Sequence, residues 1–238
     1  MFGGNMITVL LAAVLAAPAA AQQADFALQG QRASAVQTTL TAMNDGNTVG
    51  MKLAAVIRET GARVVFRKTG MMSALSLGAD GKPVIALDPS LPLAPRVLAP
   101  RLAREAAKML LTGMPDTAEK LYMARSLEVR AWLELGGDPS ALPVIDPVTG
   151  TKDAKLAAEF KEWLGEDAQT ALYRMGQASG LEDIPTKMQA LRDRLATLYS
   201  TPENIAELHR QLEAYETANR DFTRFLLEER EWRQANGY

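Results

Sequence analysis

Apolar residues recur every three or four positions along most of this chain, and alternate or run together over one short part of it. Ala33, Val36, Leu40 and Met43 follow a helical spacing that stops at Asn44-Asp45-Gly46-Asn47, a cluster of turn formers. A second helix is predicted over Val49 to Thr60, ended by Gly61, which suits the left-handed position at a helix C-terminus. Extended segments follow at Arg63–Arg67, Ala74–Leu77 and Pro83–Leu87, and Asp80-Gly81 between the last two predicts a hairpin. Together they predict a small, mostly antiparallel sheet. Pro95 or Pro100 then opens a helix that runs to Leu111 and stops at Gly113. Asp116 with Glu119 three residues on offers a capping-box-like start for the next helix. There Leu121, Ala124, Leu127, Ala131 and Leu135 share one face before Gly136-Gly137.

Residues 138–150 hold Pro139, Pro143 and Pro147 and cannot form a continuous helix, so they are read as a linker. From Thr151 onward the pattern is helical throughout. Leu156, Phe160, Trp163 and Leu164 form one stripe, and Ala168, Ala171, Leu172 and Met175 another. After Gly180, Ile184, Met188, Leu191, Leu195 and Leu198 alternate steps of four and three, as do Ile205, Leu208, Leu212 and Tyr215 beyond Ser200-Thr201-Pro202. Pro202 suits the first turn of a new helix. Two long helices joined by so short a break are expected to fold back as an antiparallel hairpin. The same count puts Asn219 at a seam position followed by Phe222 and Leu226, where a stripe drifting around a helix on a globular core explains the pattern as simply as a register-fixing polar residue does.

Residues 1–21 are of another kind. They carry no charged side chain, run apolar from Met6 to Ala17, and pass through Pro18 to Ala19-Ala20-Ala21 before Gln22. That pattern is expected of a signal peptide cleaved after Ala21, and is too short to span a bilayer comfortably. The mature chain is then expected in a bacterial periplasm or outside the cell, with no membrane association. The division that follows is 1–21 signal peptide, 22–137 an α+β domain, 138–150 linker and 151–238 a helical domain.

Composition removes several chemistries. With no Cys among 238 residues there is no disulfide, thiolate nucleophile or Cys-ligated metal, and a single His rules out a two-His metal site. A net charge of −2 gives no basic footprint for nucleic acid. Phosphate-binding glycine loops and the Gly-x-Ser-x-Gly elbow are absent from the sequence. The one histidine, His209, lies among Glu207, Arg210 and Glu213 and reads as a solvated helix-face residue. Trp132, Trp163 and Trp232 read as core packing.

More suggestive is the pair of helices after the sheet. The first carries Leu102-Ala103-Arg104-Glu105-Ala106-Ala107-Lys108, and the second Arg125-Ser126-Leu127-Glu128-Val129-Arg130-Ala131. Following helix, strand and hairpin, this order resembles a minimal zincin metallopeptidase over roughly residues 49–136. In that family a helix beneath the sheet bears His-Glu-x-x-His, whose imidazoles hold zinc while the Glu acts as base on the metal-bound water. The next helix often supplies a carboxylate ligand in a Glu-x-x-Ala setting, which Glu128 resembles. Here Arg104 and Lys108 stand where the histidines would be. Arg has no usable lone pair, and Lys would have to lose a proton with a reference pKa of about 10.4.

The resemblance therefore implies a degenerate site with no metal and no cofactor, in which the charge of Arg104 or Lys108 takes over the role of zinc by pairing with Glu128. Without that layout, Arg104, Glu105, Lys108, Glu128 and Arg130 read as ordinary solvated helix faces. The expected fold class is α+β, a zincin-like sheet packed on helices followed by an all-helical region. The expected function is that of a catalytically inactive pseudo-metallopeptidase that binds a peptide or protein along its edge strand. Two alternatives stand beside it: a helical interaction protein working through its C-terminal helices, and a hydrolase using a pair of carboxylates, which needs them at a fixed separation.

Overall fold

The computed structural model describes residues 28–45, 48–139, 150–197 and 201–238. The expected signal peptide and most of the expected linker lie outside the described residues. Eight helices and three strands are described: α1 (28–45), α2 (Thr48–Glu59), β1 (Arg63–Phe66), β2 (Ser73–Leu77), β3 (Pro83–Leu87), α3 (Pro95–Leu110), α4 (Ala118–Glu134), α5 (Gly150–Gly165), α6 (Ala168–Ser179), α7 (Ile184–Thr197) and α8 (Pro202–Asn236). The fold is α+β.

The sheet order is β1-β3-β2, with β2 antiparallel and β1 parallel to β3. The hairpin at Asp80-Gly81 forms as expected, with Gly81 at φ 73°. The sheet is mixed, however, where a mostly antiparallel one was expected: the connection after β1 carries the chain past the place that β3 later fills. β3 is consequently the central strand, and its continuous apolar run Val84–Leu87 is buried on both faces. Because Gly78 N–H donates to the Lys82 carbonyl and Asp88 N–H to the Met72 carbonyl, the even-numbered residues of β2 bond to β3. The backbone groups of Ser73, Leu75 and Leu77 face outward along the free edge.

Pro95 occupies the first turn of α3, and Pro100 lies inside the helix, where it removes one ladder hydrogen bond. The alanines of α3 (Ala99, Ala103, Ala106 and Ala107, all fully buried) let the sheet and α4 approach closely. The capping box expected at Asp116 and Glu119 does not form. Thr117 takes the N-cap position without a side-chain cap, Asp116 pairs with Lys120 at 2.8 Å, and Glu119 turns away to another helix.

Two cores meet on α4. The first gathers α1, α2, β3 and α3 around Met43, Leu53, Ile85, Leu98 and Leu102, and takes Ala124 and Ala131 from α4. The second gathers Phe160 and Trp163 of α5 with Phe222 and Phe225 of α8, and takes Tyr122, Met123, Val129 and Trp132 from α4. α4 is thus buried nearly all round. Its two ends act on two other helices: Glu134 accepts from Gly50 N–H at 2.8 Å and Val49 N–H at 3.3 Å at the start of α2, and Glu119 accepts from Ile184 N–H at 2.8 Å at the start of α7. Both place a carboxylate where a helix has unpaired donors and a positive dipole end.

In the helical half, Asp167 caps α6 by accepting from Gln169 and Thr170 N–H, and Gly180 ends it at φ 68°. α7 packs against α8, joined by the Arg192–Glu216 pair at 3.3 Å. α8 then runs on unbroken, and its buried positions shift from Leu208 to Ala218, Phe222, Phe225 and Glu229. The stripe therefore drifts from α7 onto α4, and Asn219 is half-buried without serving a repeated seam. Glu229 is fixed there by Ser126 at 2.8 Å and Arg233 at 3.2 Å, and Arg130 lies over the rings of Phe225 and Trp232. Among the described residues no helix is long and apolar enough to cross a membrane.

Candidate functional site: a buried ion-pair cluster beneath the sheet

Arg101, Arg104, Glu105 and Lys108 recur at steps of three and four and so form one charged stripe on α3. The stripe faces the end of β2 and the middle of α4. Glu105 is fully buried; one carboxylate oxygen accepts from the Ser73 hydroxyl at 2.6 Å and the other from Lys108 Nζ at 2.8 Å. Glu128 of α4 is fully buried as well. Its Oε1 accepts from Arg101 at 2.7 Å, and its Oε2 from Arg125 at 2.8 Å with Arg104 at 3.9 Å beyond it. Glu159 of α5 closes the outer side, 3.3 Å from Arg125 and 4.0 Å from Arg101. The Arg125 guanidinium also lies over the Phe160 ring at 4.7 Å, which ties the cluster to the second core.

The four positions singled out in sequence are thus drawn into one neighbourhood, and neither acid is a solvated helix-face group. The pairing differs in detail from the one anticipated. Arg104 touches Glu128 only at the outer limit of an ion pair, and Lys108 serves Glu105 instead. The short bonds to Glu128 come from Arg101 and Arg125, which sequence reasoning missed. Both were findable: Arg101 sits one turn before Glu105, and Arg125 three residues before Glu128, so extending the i, i+3/i+4 ladder by one step reaches them. Ser73 and Glu159 had no such signal, since only the fold brings β2 and α5 to this place.

Burial by itself pushes the Glu128 carboxyl up, but Arg125, Arg101 and Arg104 together outweigh it and hold it below the usual carboxylate range. Glu128 is therefore held as an anion near neutral pH. Each carboxylate oxygen of Glu105 and Glu128 thus has a cationic or hydroxyl donor.

The residues do not fit zinc. Arg104 and Lys108 are cationic and offer a metal no free lone pair, and no group of three His, Cys, Asp or Glu side chains able to hold a metal ion occurs among the described residues. His209 is exposed on α8. Trp132 and Trp163 are buried in the second core, and Trp232 packs against its edge.

No protein-family model matches this chain, and no curated protein or solved structure does so either.

Proposed function

We propose that this is an exported zincin-like protein without peptidase chemistry, in which a closed ion-pair cluster occupies the place of the metal and the edge strand β2 holds an extended peptide of a partner protein. The observation that carries the reading is the convergence of Arg104, Glu105 and Lys108 of α3 with Glu128 of α4 beneath β2, the relation that the two metal-binding helices of a zincin would have. Cations stand where a metal would, so Glu128 keeps a positively charged partner while the hydrolytic function is absent. Among the described residues no strand pairs with the outward backbone groups of Ser73, Leu75 and Leu77, and Met71 and Leu77 at the two ends of β2 are 59% and 75% exposed. An extended peptide pairs with such an edge through its main chain.

Two experiments test the two parts. If α3 and α4 hold a zincin relation, the double variant Arg104→His/Lys108→His rebuilds His-Glu-x-x-His opposite Glu128 and takes up one zinc per chain, measured by metal analysis after gel filtration. A folded variant that binds no zinc rejects the kinship. For the peptide, binders selected from a random extended-peptide library are expected to slow amide exchange at Ser73, Leu75 and Leu77. Binders that protect other amides reject β2 as the docking edge. Export predicts a mature N-terminus at Gln22, read by N-terminal sequencing of the protein from its native host.

A further inference from the structure

The helical half contains a cleft of about 780 Å³, bounded by the start of α4, by α6, by the start of α7 and by the second half of α8. That is the size of a small-molecule site. Leu172, Phe222 and Leu226 give it apolar walls, and Gln169, Gln177 and Asn219 add polar groups. Among the described residues its charged lining is acidic: Glu119, Glu182 and Asp183, with no Lys, Arg or His.

Two of these acids are already engaged. Glu182 pairs with Lys187 at 2.5 Å, and Asp183 accepts from Thr186 N–H at 2.8 Å at the start of α7. Glu119 is different. It is 3% exposed, and while its Oε1 accepts from Ile184 N–H, its buried Oε2 has no hydrogen-bond partner among the described residues. Burial raises its carboxyl above the ordinary range, against the lowering effect of the Ile184 and Glu119 N–H groups and the Thr117 hydroxyl, and Asp183 adds to the rise. A buried carboxylate oxygen without a donor is a cost that a ligand cation can remove.

We propose that this cleft binds a small organic cation, an amine or guanidinium on an apolar frame, with its charged head against Glu119 and its frame on Leu172, Phe222 and Leu226. The site shares no residue with the α3–α4 cluster and stands whether or not the zincin reading does. Three features select this class: the single sign of the lining charge, the unfilled acceptor inside the wall, and the apolar surface beside it. Gly176 shapes the site from α6, where an added Cβ would meet the Leu181 carbonyl at 3.0 Å.

The test uses the full mature chain, with 2-phenylethylamine and its neutral counterpart 2-phenylethanol followed by NMR shift perturbation and calorimetry near neutral pH. The amine is expected to perturb cleft residues and to bind at least about ten-fold more tightly than the alcohol. Glu119→Gln, which keeps the acceptor for Ile184, is expected to remove that preference. Thr223→Trp, on the exposed rim, fills the opening without touching the buried acid and is expected to abolish binding of both compounds. If Glu119→Gln does not fold, the Thr223→Trp result alone decides. Equal binding of amine and alcohol, no perturbation at the cleft, or undiminished binding in Thr223→Trp overturns the proposal.

Discussion

Glu128 and Glu119 lie on one helix, yet their carboxyls are displaced in opposite directions, so they imprint opposite slopes on stability against pH. Glu128 is held below its ordinary value, so its contribution is complete above a pH of about 4.3 and is lost as pH falls through the folded value. The stability advantage of wild type over Glu128→Gln should therefore shrink as urea titrations are taken below about pH 4. A constant difference would show that the guanidiniums do not hold the charge. Glu119 is raised, so above about pH 4.3 the unfolded chain ionises before the folded one and stability declines with rising pH. Glu119→Gln should accordingly gain on wild type over that range. Glu128→Ala strands Arg101, whose side chain is 9% exposed, and should cost about 3–5 kcal/mol. Arg104→Met, at 3.9 Å and 35% exposed, should cost less than about 1 kcal/mol. Arg104, Glu105, Lys108 and Glu128 could be named from the sequence only through the resemblance of their two helices to those of a zincin, since their spacing alone reads as solvated helix faces. The sequence could not say which cation meets which acid, since several arginines lie within reach and the choice depends on how α3 is rotated against α4.

At the scale of elements, the ends of α4 govern the starts of two other helices. Glu134→Ala should lower stability by about 1–2 kcal/mol by leaving the first N–H donors of α2 without their acceptor, and Glu134→Gln by less, both read from denaturant midpoints. Gly50 should resist replacement for a related reason. Alanine is the better helix former by about 1 kcal/mol, but its Cβ would stand 2.8 Å from the Met43 carbonyl of α1, so Gly50→Ala is expected to destabilise. Helix positions, the β2–β3 hairpin and the glycine stops at Gly61 and Gly136 were legible, because each depends on residues close in sequence. The order β1-β3-β2 was not, since strand alternation marks a buried face but does not name the neighbour. The second apolar face of α4 was hidden by Arg125, Glu128 and Arg130, which look like a solvated side until their partners on α3, α5 and α8 are known.

For the molecule as a whole, the helix shared by the two cores should make them unfold as one cooperative unit. All three tryptophans lie in or against the second core, while Leu98 lies in the first. Leu98→Ala, a cavity substitution worth about 2–5 kcal/mol, should lower the midpoint seen by tryptophan fluorescence as far as the one seen by far-UV circular dichroism. Separate midpoints would mean that α4 does not couple the halves. The same helix decides what happens if the backbone is severed in the proline-containing stretch before Gly150. Each piece would bear half of a torn hydrophobic seam, Tyr122, Val129 and Trp132 on one side and Phe160, Phe222 and Phe225 on the other. A nicked chain should therefore stay together as a non-covalent heterodimer through size exclusion, whereas either piece made alone should aggregate, so that continuity of the polypeptide matters less to this protein than the integrity of one buried rod.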